Sequence, residues 1–144
     1  MNIITVITVG FLVLETANIL AMYFFPDTKY ANGIGVFNAW EKSKNNPEVH
    51  DLVKYLVNWV AGTKLIFVLL LSVILIWADD RTLIFAGVSL VISIATFFWR
   101  LFPLIRNMDR RGQIEPKHYS LTLGCMIGGF ILLFSASILY TLWS

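Results

Sequence analysis

The sequence is poor in charge, nearly free of cysteine and histidine, and sparing with proline. Asp, Glu, Lys and Arg make up 14% of its 144 residues while 58% are hydrophobic, against roughly 25% charged and 45–50% apolar in an ordinary soluble domain. That imbalance excludes a disordered chain and an ordinary water-soluble enzyme. One cysteine, Cys125, cannot close an internal disulfide, and two histidines, His50 and His118, form no cluster with metal-ligand spacing. No metal and no cofactor is therefore expected. The net charge of +2 comes without a basic stripe interleaved with aromatics, so nucleic acid is not an expected partner. The first ten residues lack Lys and Arg, and no small-residue cleavage site follows them. The first apolar segment is thus expected to stay in the mature protein.

What the chain has instead is hydrocarbon in long runs. Crossing roughly 30 Å of bilayer core takes about 20 apolar residues, and four segments supply them: 3–25, 55–77, 82–105 and 119–143. Pro26-Asp27, Asp79-Asp80-Arg81 and the stretch Asp109 to Lys117 interrupt them. Backbone polar groups in lipid must be bonded within their own segment, so the segments are predicted to be helices. The expectation is one all-α membrane domain over 1–144, a four-helix bundle running up-down-up-down.

Orientation follows from the cations. Loop 26–54 carries Lys29, Lys42, Lys44 and Lys54, and the third loop carries Arg106, Arg110, Arg111 and Lys117, whereas the second loop carries only Arg81. The bias of eight to one places the long loop in the cytoplasm and both termini on the non-cytoplasmic side, most simply in the plasma membrane. Arg110 and Arg111 also lie where anionic headgroups of the bilayer's inner leaflet would meet them. Within loop 26–54, Asn46-Pro47-Glu48 reads as a helix start, with Asn46 as N-cap and Pro47 at the first helical position. The second helix should thus begin well before the bilayer. Val36, Phe37 and Trp40 either rest on the membrane surface or collapse over the inner end of the bundle.

Three ionisable residues fall inside the spans: Glu15, Lys64 and Arg100. Each costs about 2.5–3.5 kcal/mol to insert at mid-helix, so each needs a reason. Glu15 lies about 15 Å and Lys64 about 13.5 Å from the inner ends of their helices, at 1.5 Å of rise per residue. If helices one and two are neighbours, the opposite charges reach the same level. Asn18 shares the Glu15 face, while Asn58 points about 120° away from Lys64 around its helix. Arg100 either snorkels towards headgroups or joins the carbonyl freed by Pro103 in a polar pocket. Glu15, Asn18, Asn58, Lys64 and Arg100 are the candidate substrate- or ion-binding residues. The alternative for Glu15 and Lys64 is an ion pair that only fixes helix register.

The fourth span holds no charge, and Ser120, Gly124 and Gly128 recur every four residues with Gly129 adjacent. Such a stripe lets another helix come close, either helix one of this chain or a second copy. His50 and His118 stand without a nucleophile at useful sequence spacing, so catalysis is not the favoured reading. Four helices with one mid-membrane glutamate, Glu15, resemble the layout of small multidrug-resistance transporters. The long loop, the charge bias and Lys64 at the glutamate's level depart from that pattern. Three functions remain: a small transporter or channel-like protein for a proton-coupled or charged solute, acting as a homo-oligomer; a non-catalytic subunit of a larger membrane complex; and an enzyme acting on lipids.

Overall fold

The computed structural model describes residues 3–30 and 33–143. Its helices are α1 (Ile3–Phe24), α2 (Asn38–Ser43), α3 (Pro47–Trp77), α4 (Asp80–Ala95), α5 (Phe97–Arg110) and α6 (Tyr119–Trp143). Four stretches are long and apolar enough to cross a membrane: Ile3–Phe24, Pro47–Trp77, Asp80–Arg110 and Tyr119–Trp143. Large apolar side chains on all of them face outward, among them Val13, Ile66, Phe85 and Leu132. Water would penalise such a surface, whereas acyl chains would not.

Local chemistry sets the helix ends. The Asn46 side chain accepts a hydrogen bond from the Val49 amide at 3.4 Å with Pro47 next to it, so α3 starts eight residues before the predicted span at 55. Asp79 caps α4 by accepting from the Thr82 amide at 2.9 Å. The cap of α6 comes from another helix: the Asp109 carboxylate accepts from the Ser120 hydroxyl at 2.6 Å, the Ser120 amide at 3.0 Å and the His118 amide at 3.2 Å.

The third span is not one continuous helix. It breaks at Thr96, whereas α5 runs through Pro103. Thr96 donates its hydroxyl to the Ser93 carbonyl at 2.6 Å, and Ser93 donates to that of Ser89 at 2.8 Å. Such back-bonding competes with the helical ladder and bends it.

Packing centres on α1, which lies against both α3 and α6, while α4 and α5 lie against α6. One core gathers Phe11, Leu12, Ile19, Val68, Leu71, Leu90 and Phe134. The Phe11 ring stands edge-on to Phe130 at 5.3 Å, Phe134 at 5.7 Å and Phe67 at 6.2 Å, a favourable quadrupole arrangement. A second core joins Ile4, Leu83 and Ile138. Gly87 lets them close, since a Cβ there would sit 3.1 Å from Ile4 and 3.2 Å from Ile138. The small-residue stripe of α6 meets α5. A Cβ on Gly124 would come within 2.7 Å of the Phe102 ring and one on Gly128 within 4.0 Å of Phe98, while Gly129 faces open space. Ser120, buried at the start of α6, meets the same helix, α5, through its hydrogen bonds to Asp109.

The stretch before α3 folds back over one end of the bundle. Val36 and Trp40 are buried, Val36 packing with Ile105 and Ile114 in a third core. Of the two expectations for this loop, collapse over the bundle holds, and the membrane-surface placement of Val36 and Trp40 does not. The cause is polar as well as apolar: the Trp40 indole donates to Asp27 at 2.6 Å. Phe37 also forms an antiparallel bridge with Ile114, with Glu115 N–H donating to Val36 at 2.8 Å and Asn38 N–H to Gln113 at 3.0 Å.

Candidate functional site

A cavity of about 960 Å³ opens inside the bundle, walled by α1, α3, α5 and α6 with Ser93 and Ile94 of α4. Most of its lining is apolar, including Leu14, Val57, Val60, Leu101 and Met126. One end, the mouth, is rimmed by Lys29, Tyr30, Ile34, Phe37 and Pro116. The other reaches Glu15, Lys64 and Phe130, where the rings around Phe11 fill the bundle.

Glu15 and Lys64 meet at this inner end. The Lys64 ammonium donates to Glu15 Oε2 at 2.6 Å, with side chains 28% and 18% exposed respectively. The contact bridges α1 and α3, and a charge-assisted hydrogen bond of this length is among the stronger polar contacts. Asn18, one turn along α1, also lines the cavity and is 8% exposed. Glu15, Asn18 and Lys64 are thus brought together.

The other two candidates lie elsewhere. Asn58 is exposed and does not line the cavity. Arg100 is also exposed, with its guanidinium over the Trp99 ring at 5.5 Å. Pro103 lies within α5, and neither it nor Arg100 lines the cavity.

Sequence spacing missed the polar cluster at the loop end. Asp27 accepts from Trp40 and, at 2.8 Å, from Lys44, which also reaches Glu41 at 2.9 Å. Gly33 and Gly35 permit the tight turn behind it, because a Cβ on either would collide with the carbonyls of Thr28 and Asp27. Their Gly-x-Gly spacing was the available signal. At the cavity mouth Lys29 pairs with Glu115 at 2.7 Å, joining the two loops.

Folding also creates a Ser–His contact that spacing alone did not suggest, with Ser43 Oγ 2.9 Å from His50 Nδ1. The buried hydroxyl donates its one proton to the Trp40 carbonyl at 2.6 Å. The same hydroxyl thus lies between the Trp40 carbonyl and the His50 ring. The His50 ring lies 4.6 Å from that of Trp40, so the pair braces α2 against α3. Among the described residues no group of three His, Cys, Asp or Glu side chains is placed to hold a metal ion.

No protein-family model, curated protein or solved structure matches the chain.

Proposed function

We propose that the protein is a small integral membrane transporter whose solute, charged or proton-coupled, binds in the cavity at Glu15, Lys64 and Asn18. One observation carries this reading: the ion pair between α1 and α3 faces a cavity of about 960 Å³ while keeping part of each side chain accessible. A solute in the cavity could reach both charges, which a pair serving helix register alone does not require. The proposed topology is four crossings, up-down-up-down, in the plasma membrane, with both termini on the non-cytoplasmic side. That sidedness rests on the cation bias. Four helices enclose little pathway, so a homo-oligomer belongs to the proposal.

The test pairs flux with stability in proteoliposomes loaded with the pH dye pyranine, with and without an imposed pH gradient. Glu15→Gln and Lys64→Ala should abolish protein-dependent flux. Removing one partner of a partly buried pair should also cost roughly 2–4 kcal/mol of stability. The exchanged double variant, Glu15→Lys with Lys64→Glu, separates the roles. It should recover thermal stability without recovering flux. Unchanged flux in every variant, with only stability altered, would instead support a non-catalytic subunit.

A further inference from the structure

We propose that the cavity binds a zwitterionic amphiphile, with an apolar body and a headgroup carrying one charge of each sign, which enters from the bilayer between α3 and α5. This rests on reading the cavity as the solute site and names the solute's class. The first observation is Asn18. Its side chain is more than nine-tenths buried and lines the cavity, yet among the described residues nothing hydrogen-bonds its carboxamide. Among the described residues no fully sequestered side-chain nitrogen or oxygen lacks a partner, so the carboxamide itself stays reachable and offers a ligand in the cavity two donors and an acceptor.

The second observation is charge balance. Lys64 spends one of its three donors on Glu15 Oε2, leaving two N–H groups and Glu15 Oε1 for a ligand. The pair sums to zero, so a net-charged headgroup would bring an uncompensated charge against mostly apolar walls. A zwitterion lying antiparallel to the pair avoids this: its cation meets the Glu15 carboxylate, and its anion meets the Lys64 ammonium and the Asn18 N–H. An uncharged headgroup would satisfy Asn18 but gain little from the pair.

Size and access complete the argument. The volume suits a drug-sized or single-chain molecule, and apart from the polar inner end and mouth the walls are mostly hydrocarbon. Around the cavity α1 closes onto α3 and α6, and α6 onto α5, but no comparable packing closes α3 onto α5. Leu56 and Leu101 line the cavity from these two helices and remain 43% and 53% exposed. In a membrane that seam faces acyl chains.

Binding to the full-length protein in lipid nanodiscs tests this with three radiolabelled lipids sharing one acyl chain: zwitterionic lysophosphatidylcholine, anionic lysophosphatidic acid and uncharged monoacylglycerol. The zwitterion should bind at least about tenfold tighter than either other lipid, and Asn18→Ala should weaken it about tenfold while leaving the melting temperature near wild type. Glu15→Gln with Lys64→Gln, which keeps shape without charge, should erase the preference. Equal or tighter binding of monoacylglycerol or lysophosphatidic acid overturns the headgroup assignment. Leu56→Trp should slow association without changing the dissociation constant, and an unaltered association rate overturns the lateral path. Preferential binding without any flux would sink transport and leave this inference standing. Glu15-dependent flux without the preference would do the reverse.

Discussion

At Asp27 a single carboxylate oxygen accepts two hydrogen bonds, from the Trp40 indole at 2.6 Å and the Lys44 ammonium at 2.8 Å. Both donors favour the ionised form, Lys44 more than Trp40, and hold the Asp27 carboxyl below its ordinary value of 3.8. A carboxylate whose folded pKa is depressed stabilises the fold above its unfolded value, and the contribution disappears as pH falls below that value. The Asp27 side chain is 65% exposed, so the contribution is about 1 kcal/mol or less. In a His50→Gln background, which takes the imidazole off the Trp40 ring, the indole N–H resonance should therefore shift only below 3.8. Asp27→Asn retains an acceptor oxygen and should remove that acid step. A midpoint above 3.8 in that background would show that another group controls the contact.

Between elements, the α5–α6 contact depends on the absence of one side chain. Phe102 fills the space beside Gly124 and is itself 5.4 Å from Phe98 and 5.8 Å from Phe97, so its ring has little freedom to retreat. Gly124→Leu should lower thermal stability in detergent by about 1–3 kcal/mol, the usual cost of overpacking. Gly129 faces open space, so Gly129→Ala should raise stability by up to about 1 kcal/mol through helix propensity alone. If Gly124→Leu melts like wild type, the two helices do not meet there. The spacing of Ser120, Gly124 and Gly128 announced a close contact but not its partner, because a stripe of small residues says only that something approaches. The Thr96 break was likewise hidden: Pro103 carried the obvious breaking signal, while the interruption falls beside hydroxyls that read as ordinary helix residues.

For the molecule as a whole, what could be read in advance followed from fixed geometry. Helix rise alone set Glu15 and Lys64 at one level, and span length alone located four apolar helices. What could not be read required knowing which faces meet. Asn58 and Arg100 are polar residues of the same kind as Asn18 and Lys64, yet they turn outward. Trp40 is buried because Asp27, thirteen residues earlier, reaches its indole.

Sidedness belongs to this scale too, since it is a property of all three loops together. Eight cations flank the loop end of the sequence and one, Arg81, lies between the second and third spans. Translocating the eight across an energised membrane would oppose the positive-inside rule, so the loop end should stay in the cytoplasm. Glu48 and Asp80 are both exposed and stand at the starts of α3 and α4. In a Cys125→Ser background, which removes the exposed native thiol, Asp80→Cys should react with a membrane-impermeant maleimide on intact cells. Glu48→Cys should react only after permeabilisation. Matching reactivity at the two positions would refute the four-crossing arrangement, and reversed reactivity would invert it. Inversion would also put the loop end of the cavity and the α3–α5 seam at Leu56 and Leu101 in the opposite leaflet, so that the proposed lateral path would draw from that leaflet instead.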